Sequence, residues 1–528
     1  MATTASATES IRNDTHTLQR AGVVVFATIA AAYVIVLAQF SAFPFQDFPN
    51  HLTRAVILAD ILFHHGAAFG PLFEFRFMPV PYILGDLLLA GLVELFGPTG
   101  AGVIWNTLVL LSWPAALLFL IHVNGLSRNT RLFVLFISLF LATDWFFLLA
   151  FTQFRLGMAL MVAALAVAHL LRLRWSATRF IWFCVIILAG YFTHLAFVIF
   201  LAPSLIVSAA VRLYFRRTSL RTELALIAPV AAVMLWHFGF ADHAYRSAGP
   251  APYGWMWGEV GHKFFGLQSE FLRFGGRYSK LLMLGFLVVL GWGLWRDLRW
   301  RNLLKPQVVE MLALAVTFLG IFFVLPSQYS QAAYVDVRAL ALISLFVVLA
   351  RVQLSDDTTS PGIVIPLAAI LAVANLAYLG MHLASDDAWM KGYREIVARV
   401  PRGAAVMPIY TRGREGGMSP LLHTASYIVM DRAALTPYLF SGDGGHPMKY
   451  FSYRHRPYRP YQRWYNLGRP DVVDWRTLAC SYDFLLVDKP YDPKNIEVRT
   501  SAVAENGSAV LLKVEANGAG RGCAPPPP

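Results

Sequence analysis

Long apolar runs separated by short polar segments make up most of the chain. Runs of about 20 apolar residues, the length that crosses a bilayer as a helix, occur about eleven times. They lie at 21–40, 79–97, 101–123, 132–150, 155–172, 180–213, 222–240, 279–295, 307–325, 337–352 and 362–383. The run at 180–213 is too long for one upright helix, and it can divide at Thr193-His194 or at Pro203. The pattern predicts a polytopic α-helical membrane protein with about 11 to 13 spans.

The pattern of hydrophobic positions changes at Ser385. Short alternating runs that are typical of strands occur at 404–407, 482–487 and 509–514, and a helical pattern occupies 389–400. These elements predict a small α/β soluble domain over 384–517, after a transmembrane bundle over 21–383. The polar segment 1–20 is predicted to be a cytoplasmic tail, and the proline-rich segment 518–528 to be disordered.

The composition agrees with a membrane protein. Of the 528 residues, 57% are hydrophobic and only 14% are charged, which excludes an ordinary soluble enzyme. The net charge of +13 could suggest nucleic acid, but the basic residues cluster between the apolar runs. That distribution sets the orientation of spans in the membrane and indicates no nucleic-acid partner.

The basic clusters orient the bundle, because such clusters stay in the cytoplasm. They are Arg12 with Arg20, the residues from Arg212 to Arg221, and the residues from Arg296 to Lys305. A single span at 180–213 conflicts with this rule, since it places Arg172, Arg174 and Arg179 outside. The parity of the spans around 172–213 therefore stays open.

The remaining loops are predicted to face outward. They include a long first outer loop at 41–78, a second at 241–280 and a short one at 326–337. An odd number of spans also places the 384–517 domain in the periplasm of a bacterial inner membrane. In that compartment Cys480 and Cys523 could form a disulfide, although Cys523 lies in the segment that is predicted to be disordered.

The first outer loop carries the most informative polar residues, in the stretch Asp47-Phe48-Pro49-Asn50-His51-Leu52-Thr53-Arg54. A carboxylate just outside the first span is well placed for a general base that acts on a membrane-anchored substrate. If Pro49 begins a helix, His51 and Arg54 share one face and converge with Asp47. The alternative interpretation is that Asp47 only caps the helix and His51 only lies at the interface.

At this loop the chain resembles the GT-C superfamily of polytopic glycosyltransferases. Its members carry a catalytic acid in a long first outer loop, use polyprenyl-phosphate-linked sugars and often end in a periplasmic domain. The resemblance covers the architecture of the whole chain, with Asp47 to His51 as its motif. It implies that Asp47 is the first-loop aspartate, which activates the acceptor or helps to hold a divalent metal ion.

A second acid is expected near the outer end of a later span, and Asp144 is the nearest candidate. A lone carboxylate in an apolar run is costly to bury, although an interfacial aspartate is the alternative. The resemblance makes Asp144 a second catalytic residue and, with Asp47, a tentative metal ligand. Asp86 and Glu94 are further acids on nearly one face of the second run.

Cations at the outer surface are needed to bind a lipid phosphate, because the leaving phosphate gains negative charge. Arg338, at the outer end of a late span, resembles the late-span arginine with which the superfamily binds this phosphate. Arg277 is the best candidate in the second outer loop, where it could also be only an interfacial anchor. His51, Arg54 and the intramembrane His194 complete the predicted substrate-binding residues.

The sequence thus favours a membrane glycosyltransferase that moves a sugar from a polyprenyl-phosphate carrier to a glycan, lipid or protein acceptor. Two alternatives stay open. A transporter or flippase of a lipid-linked substrate predicts inverted repeats, and none is visible. A non-catalytic scaffold of a polysaccharide assembly complex predicts a cavity in which acid and cation do not converge.

Overall fold

The computed structural model describes residues 2–241, 255–257, 260–267, 275–297, 300–329, 332–354, 363–410, 422–441, 450–455 and 475–515. Most of the predicted second outer loop, Cys523 and the predicted tail 518–528 lie outside these ranges. The described part is a helical bundle followed by a small sheet.

The helices of the bundle and its loops follow the apolar runs. They are α1 (Ala2–Ala38), α2 (Phe48–Phe63), α3 (Ile83–Val123), α4 (Arg128–Ala142), α5 (Trp145–Leu148), α6 (Thr152–Leu173), α7 (Ala177–Thr193), α8 (Ala196–Tyr214), α9 (Leu220–Trp236), α10 (Val260–Gly266), α11 (Gly276–Asp297), α12 (Trp300–Leu303), α13 (Pro306–Val324), α14 (Leu340–Leu354) and α15 (Val364–Val397). Among the described residues, eight helices are long and apolar enough to cross a membrane. Two shorter apolar helices lie at 129–142 and 177–193, and α11 covers the predicted span at 279–295.

Two predicted spans, 79–97 and 101–123, form the single element α3. It breaks at Gly97, whose φ of 68° and ψ of 170° are not helical and which precedes Pro98. Glycine adopts this left-handed region without steric cost, and proline cannot continue a helix from the preceding turn. The predicted span at 132–150 is also shorter than expected, because α4 ends at Ala142 before Thr143 and Asp144.

The long run at 180–213 divides at His194, between α7 and α8. Pro203 lies inside α8 and does not end it. Because of this division, Arg172 at the end of α6 meets Glu223 in the first turn of α9, at 2.7 Å. Arg172 therefore lies at the same end of the bundle as the cluster that begins at Arg212. The conflict in the orientation of the spans is resolved by one extra helix.

The first outer loop is tied to the C-terminal domain by a two-stranded antiparallel sheet. Strand β1 (Phe73–Phe75) pairs with β6 (Phe451–Tyr453), with Glu74 opposite Ser452. Phe73 stacks on Phe451 with ring centroids 5.4 Å apart. These strands belong to the same hydrophobic core as the bundle, so the loop and the domain pack as one unit.

The C-terminal domain is built on a second sheet of four strands. Its elements are β5 (Val406–Ile409), α16 (Ser426–Arg432), α17 (Trp475–Ser481), β7 (Phe484–Asp488), β8 (Thr500–Glu505) and β9 (Ala509–Val514). The strand order is β5-β7-β9-β8, in which β5 and β7 are parallel and the other pairs antiparallel. Each face of the sheet covers a hydrophobic cluster. The predicted α/β fold is confirmed, and α15 runs unbroken across the predicted boundary at 384.

A third, small sheet lies beside the bundle. It contains β2 (Trp255–Met256), β3 (Gln328–Tyr329) and β4 (Ala332–Ala333), all antiparallel. Lys263 on α10 connects this region to the bundle, because its ammonium group donates to the carbonyl of Phe322 at 3.0 Å and lies 3.4 Å from Asp336.

Candidate functional site

Asp47 lies at the start of α2, as Pro49 predicts. Its backbone N–H donates to the carbonyl of Leu149 at 3.1 Å, which fixes the loop against the segment after α5. The carboxylate occupies the N-cap position but makes no capping hydrogen bond. Only 8% of the residue is exposed. The side chain is therefore buried without serving as a helix cap.

The surroundings of Asp47 make its carboxyl group an unusually weak acid. Burial raises its pKa to about 7, and a hydrogen bond from Gln46 and the charges of Arg338 and Arg54 only partly oppose that shift. The Nε2 atom of His423, from the C-terminal domain, lies 3.5 Å from Oδ1. A carboxyl group with a pKa near neutral pH is suited to accept a proton during a reaction.

His51 and Arg54 converge one turn further along α2, as their spacing predicts. The Nη2 atom of Arg54 donates to Nδ1 of His51 at 3.1 Å. Burial and then the charge of Arg54 hold the pKa of His51 well below its usual value, so this imidazole is neutral. The guanidinium also forms a bidentate pair with Asp86, at 2.8 and 2.7 Å.

Asp86 connects three parts of the molecule. Besides Arg54, it accepts hydrogen bonds from Gln153 on α6 at 2.7 Å and from the hydroxyl of Tyr450 at 2.6 Å. These donors satisfy the buried carboxylate, whereas Nη1 of Arg54 is buried with no hydrogen-bond partner among the described residues. A buried N–H group without an acceptor favours an anionic or polar ligand at that position.

His194 lies at the break between α7 and α8 and faces Arg338. Its Nδ1 accepts a hydrogen bond from the backbone N–H of Ala196 at 3.0 Å, so in the neutral ring the proton is on Nε2. That atom lies 3.0 Å from the hydroxyl of Tyr82 and 3.0 Å from Nη1 of Arg338. The hydroxyl oxygen of Tyr82 can accept a hydrogen bond from His194, and Tyr82 is also hydrogen-bonded to Arg338, so these three side chains form one buried polar cluster.

Aromatic rings hold the Arg338 guanidinium in place. Its central carbon lies 4.8 Å from the ring centroid of Phe151 and 5.5 Å from that of Phe154. The residue is 9% exposed and lies in the turn that begins α14. A guanidinium held against aromatic faces loses little conformational freedom when it binds a phosphate.

Asp144 is placed differently from Asp47. Its Oδ1 accepts the backbone N–H of Phe147 at 3.0 Å and so caps α5, while Oδ2 pairs with Nη1 of Arg155 at 2.6 Å. The guanidinium of Arg155 lies over the ring of Trp113 at 4.6 Å. Both partners are almost fully buried. Asp144 therefore belongs to a closed ion pair that joins α5 to α6.

The predicted metal site gains no support from this geometry. Asp47 lies in the field of two guanidinium groups, and Asp144 already binds an N–H group and Arg155. In the described part of the chain, no group of three or more His, Cys, Asp or Glu residues is arranged to hold a metal ion. This set of donors fits an anion better than a divalent cation, and metal binding by Asp47 and Asp144 stays a prediction.

Arg277 is not brought to this cluster. It is exposed at the start of α11, and its guanidinium lies 5.3 Å from the ring of the neighbouring Tyr278. The predicted Glu94 is likewise near the surface, where it pairs with His64 at 2.9 Å. Asp86 is the buried member of that predicted acidic pair.

Two residues of the cluster, Tyr82 and His423, were missed by the sequence analysis. They come from different segments, and no local spacing connects them with Asp47 or Asp86.

Comparison with known proteins addresses the fold. No protein-family model and no curated protein sequence matches the chain at a significant level. The crystal structure of ArnT from Cupriavidus metallidurans bound to undecaprenyl phosphate aligns with a TM-score of 0.51 at 12% identity, over 95% of this chain and 99% of that chain. The apo structure of the same protein covers the same shares at 12% identity, with a TM-score of 0.49.

This likeness extends over the bundle and the C-terminal domain together. At this level of sequence identity it is a likeness of fold alone, and it agrees with the predicted helical bundle that is followed by a small α/β domain. The chain has the polytopic fold of ArnT.

Proposed function

We propose that this protein is a membrane glycosyltransferase that uses a polyprenyl-phosphate-linked sugar as donor. The observation that carries the proposal is the convergence of one weakly acidic carboxyl group, Asp47, with two buried guanidinium groups, Arg54 and Arg338. The solved protein with this fold binds undecaprenyl phosphate, which gives the type of carrier. When the bond between the sugar and the phosphate breaks, the phosphate gains negative charge, which nearby cations stabilise, and the acceptor hydroxyl loses a proton, which a nearby base can take up.

In the proposed reaction, Asp47 accepts the proton of an acceptor hydroxyl. The hydroxyl oxygen then bonds to C1 of the sugar, and the bond from C1 to the phosphate oxygen breaks with its electrons staying on the phosphate. Arg338 and the N–H of His194 bind that phosphate and stabilise its growing negative charge. The proton on Asp47 is afterwards released to water.

The ends of the helices support an outer location for the site. Helix α8 begins beside His194 and ends near Arg212, so the basic cluster lies at the opposite end of the bundle. Basic clusters stay in the cytoplasm, and we therefore place the site and the C-terminal domain on the periplasmic face of the inner membrane. The acceptor is then a glycan, lipid or protein of the cell envelope.

The test measures turnover of a defined class of lipid. Membranes that contain the protein are incubated with undecaprenyl-phosphate-linked sugars extracted from bacteria, and the released undecaprenyl phosphate is quantified by mass spectrometry. We expect Asp47→Asn to lower the rate by about 100-fold or more, since the amide cannot accept the proton. Glu94→Gln is the matched control, because Glu94 is a partly exposed acid of the neighbouring helix.

Two results contradict the proposal. If Asp47→Asn membranes release undecaprenyl phosphate as fast as wild-type membranes, Asp47 is not the base. If wild-type membranes release none while the lipid-linked sugar crosses a bilayer of reconstituted vesicles, the protein is a transporter.

A further inference from the structure

The C-terminal domain contributes a side chain to the site. His423 lies in the turn before α16, where its carbonyl accepts the N–H of Ser426 at 3.0 Å. The residue is 9% exposed, and its ring faces Asp47 at the start of α2. We propose that His423 is a positioning residue, whose Nε2–H holds Oδ1 of Asp47 and so turns the other carboxylate oxygen toward the acceptor. This inference rests on the proposed function.

The orientation of Asn50 determines which nitrogen of His423 carries the proton. The Oδ1 atom of Asn50 accepts the N–H of Phe440 at 2.8 Å, and Nδ2 donates to the carbonyl of Tyr438 at 3.2 Å. These two bonds fix the amide, because exchanging its ends would set like groups against each other. The amide nitrogen of Asn50 therefore faces His423.

That amide nitrogen lies 3.1 Å from Nδ1 of His423. An amide nitrogen can only donate, so Nδ1 must be the acceptor and lacks a proton. In a neutral imidazole the proton is then on Nε2, the atom that faces Asp47. Asn50 and His423 thus present an N–H group to the carboxylate, in the same way that a buried partner selects the tautomer of a catalytic histidine.

The two carboxylate oxygens of Asp47 have different surroundings. Oδ1 lies 3.4 Å from Nε2 of Gln46 and 3.5 Å from Nε2 of His423. Within the described ranges, no residue donates a hydrogen bond to Oδ2. Both distances are longer than an optimal hydrogen bond, as is common before a substrate closes the site. Oδ2 is the oxygen that we expect to accept the proton.

Packing keeps the imidazole in this position. The ring of Phe440 meets the His423 ring edge to face, with centroids 4.7 Å apart, and also lies 6.2 Å from the ring of His51. Beside it, the hydroxyl of Thr53 donates to the carbonyl of Ser426 at 3.1 Å. The first outer loop and the turn before α16 are therefore locked together around His423.

The first experiment compares two amide substitutions in the full-length protein. The amide nitrogen of His423→Gln can reach the place of Nε2, whereas that of His423→Asn reaches only the place of Nδ1. Both variants lose the ring contact with Phe440, so the difference between them isolates the donor to Asp47. The readout is the rate of undecaprenyl phosphate release, with kcat and KM for the lipid-linked sugars, and His455→Asn is an exposed histidine control in the same domain.

We expect His423→Asn to lower kcat roughly 10- to 100-fold, the range for losing one hydrogen bond to a charged group, with little change in KM. We expect His423→Gln to stay within about threefold of wild type. Equal losses in the two variants, or a loss that appears only in KM, overturn the positioning role.

The second experiment reads the tautomer without turnover. The protein is labelled with 15N-histidine in lipid, and the His423 signal in solid-state NMR is assigned from its absence in His423→Gln. We expect Nδ1 to be unprotonated in wild type and protonated in Asn50→Asp, because a carboxylate at position 50 accepts instead of donating. A protonated Nδ1 in wild type overturns the inference even if sugar transfer is confirmed. Absence of turnover by wild type contradicts the proposed function and leaves this result standing.

Discussion

Asp47 follows the first apolar run of the sequence and Asp144 interrupts a later one, and the structure gives these two acids opposite surroundings. Asp144 has a full set of partners: the N–H of Phe147 and the guanidinium of Arg155. Among the described residues, the carboxylate of Asp47 has two long contacts, from Gln46 and His423, and burial raises its pKa to about 7. A carboxylate that is fully paired holds the fold together, whereas one that is buried with few partners can exchange a proton.

The comparison also separates the two types of guanidinium at this end of the bundle. Arg155 neutralises its acid within neighbouring helices. The charges of Arg54 and Arg338 both act on Asp47 and lower its pKa. Two cations therefore surround Asp47, whereas one cation pairs directly with Asp144.

The largest expected effect is on stability, and it concerns Asp144. Removing one partner of a buried ion pair leaves an uncompensated charge, which costs about 3–5 kcal/mol. We therefore expect Asp144→Asn to lower the melting temperature in detergent strongly, and Asp47→Asn to leave it nearly unchanged. Asp144→Asn combined with Arg155→Met should recover much of the loss. Equal melting temperatures for Asp144→Asn and Asp47→Asn would contradict the claim that Asp144 stabilises the fold more than Asp47 does.

A smaller effect is expected from Arg338→Gln. Loss of a charge-assisted contact should weaken binding of undecaprenyl phosphate roughly 10- to 100-fold, measured by tryptophan fluorescence quenching in detergent. The same substitution should raise the pKa of Asp47 further, because the Arg338 charge lowers it in the wild-type protein. The prediction fails if binding is unchanged while the protein stays folded.

The pH dependence of the rate tests the state of Asp47 directly. To act as the proposed base, Asp47 must be ionised, and below its pKa of about 7 the ionised fraction falls about tenfold per pH unit. Transfer should therefore rise with pH up to about 7 and then level off. A rate that is already constant at pH 5 (roughly two units below this pKa) would show that Asp47 is as acidic as an ordinary carboxylate.

The smallest effect is expected at Arg277. Its side chain is exposed and contacts Tyr278, so Arg277→Gln should change undecaprenyl phosphate binding by less than about twofold. Comparing the affinity of this variant for undecaprenyl phosphate with that of Arg338→Gln shows whether the phosphate-binding site extends as far as Arg277. A large loss would bring the second outer loop into the binding site.

The span pattern, the first outer loop and the strands of the terminal domain could all be predicted from the sequence, because each depends on local periodicity. The convergence of His51 with Arg54 followed from a three-residue spacing on one helix. The length of α4 could not be predicted, since Asp144 ends it only because Arg155 and the N–H of Phe147 are there to bind the carboxylate. Without those partners, the apolar run simply continues.

The partners of Asp47 and Asp86 could not be predicted from the sequence, and the reason is physical. Tyr450 and His423 reach Asp86 and Asp47 from more than 350 positions away, through a domain whose docking depends on many small contacts. No periodicity relates such positions. The surroundings of Asp47 include His423, a residue distant in sequence, whereas the partners of Asp144 are its sequence neighbours Phe147 and Arg155.

The pairing of β1 with β6 has a consequence for the synthesis of the protein. Glu74 meets Ser452 across 378 positions of sequence, so the first outer loop emerges from the ribosome long before its partner strand exists. During that interval Asp47 lacks His423, and Asp86 lacks the hydroxyl of Tyr450. A chain whose synthesis stops before position 423 therefore presents an incomplete site, and the proposed activity requires the C-terminal domain.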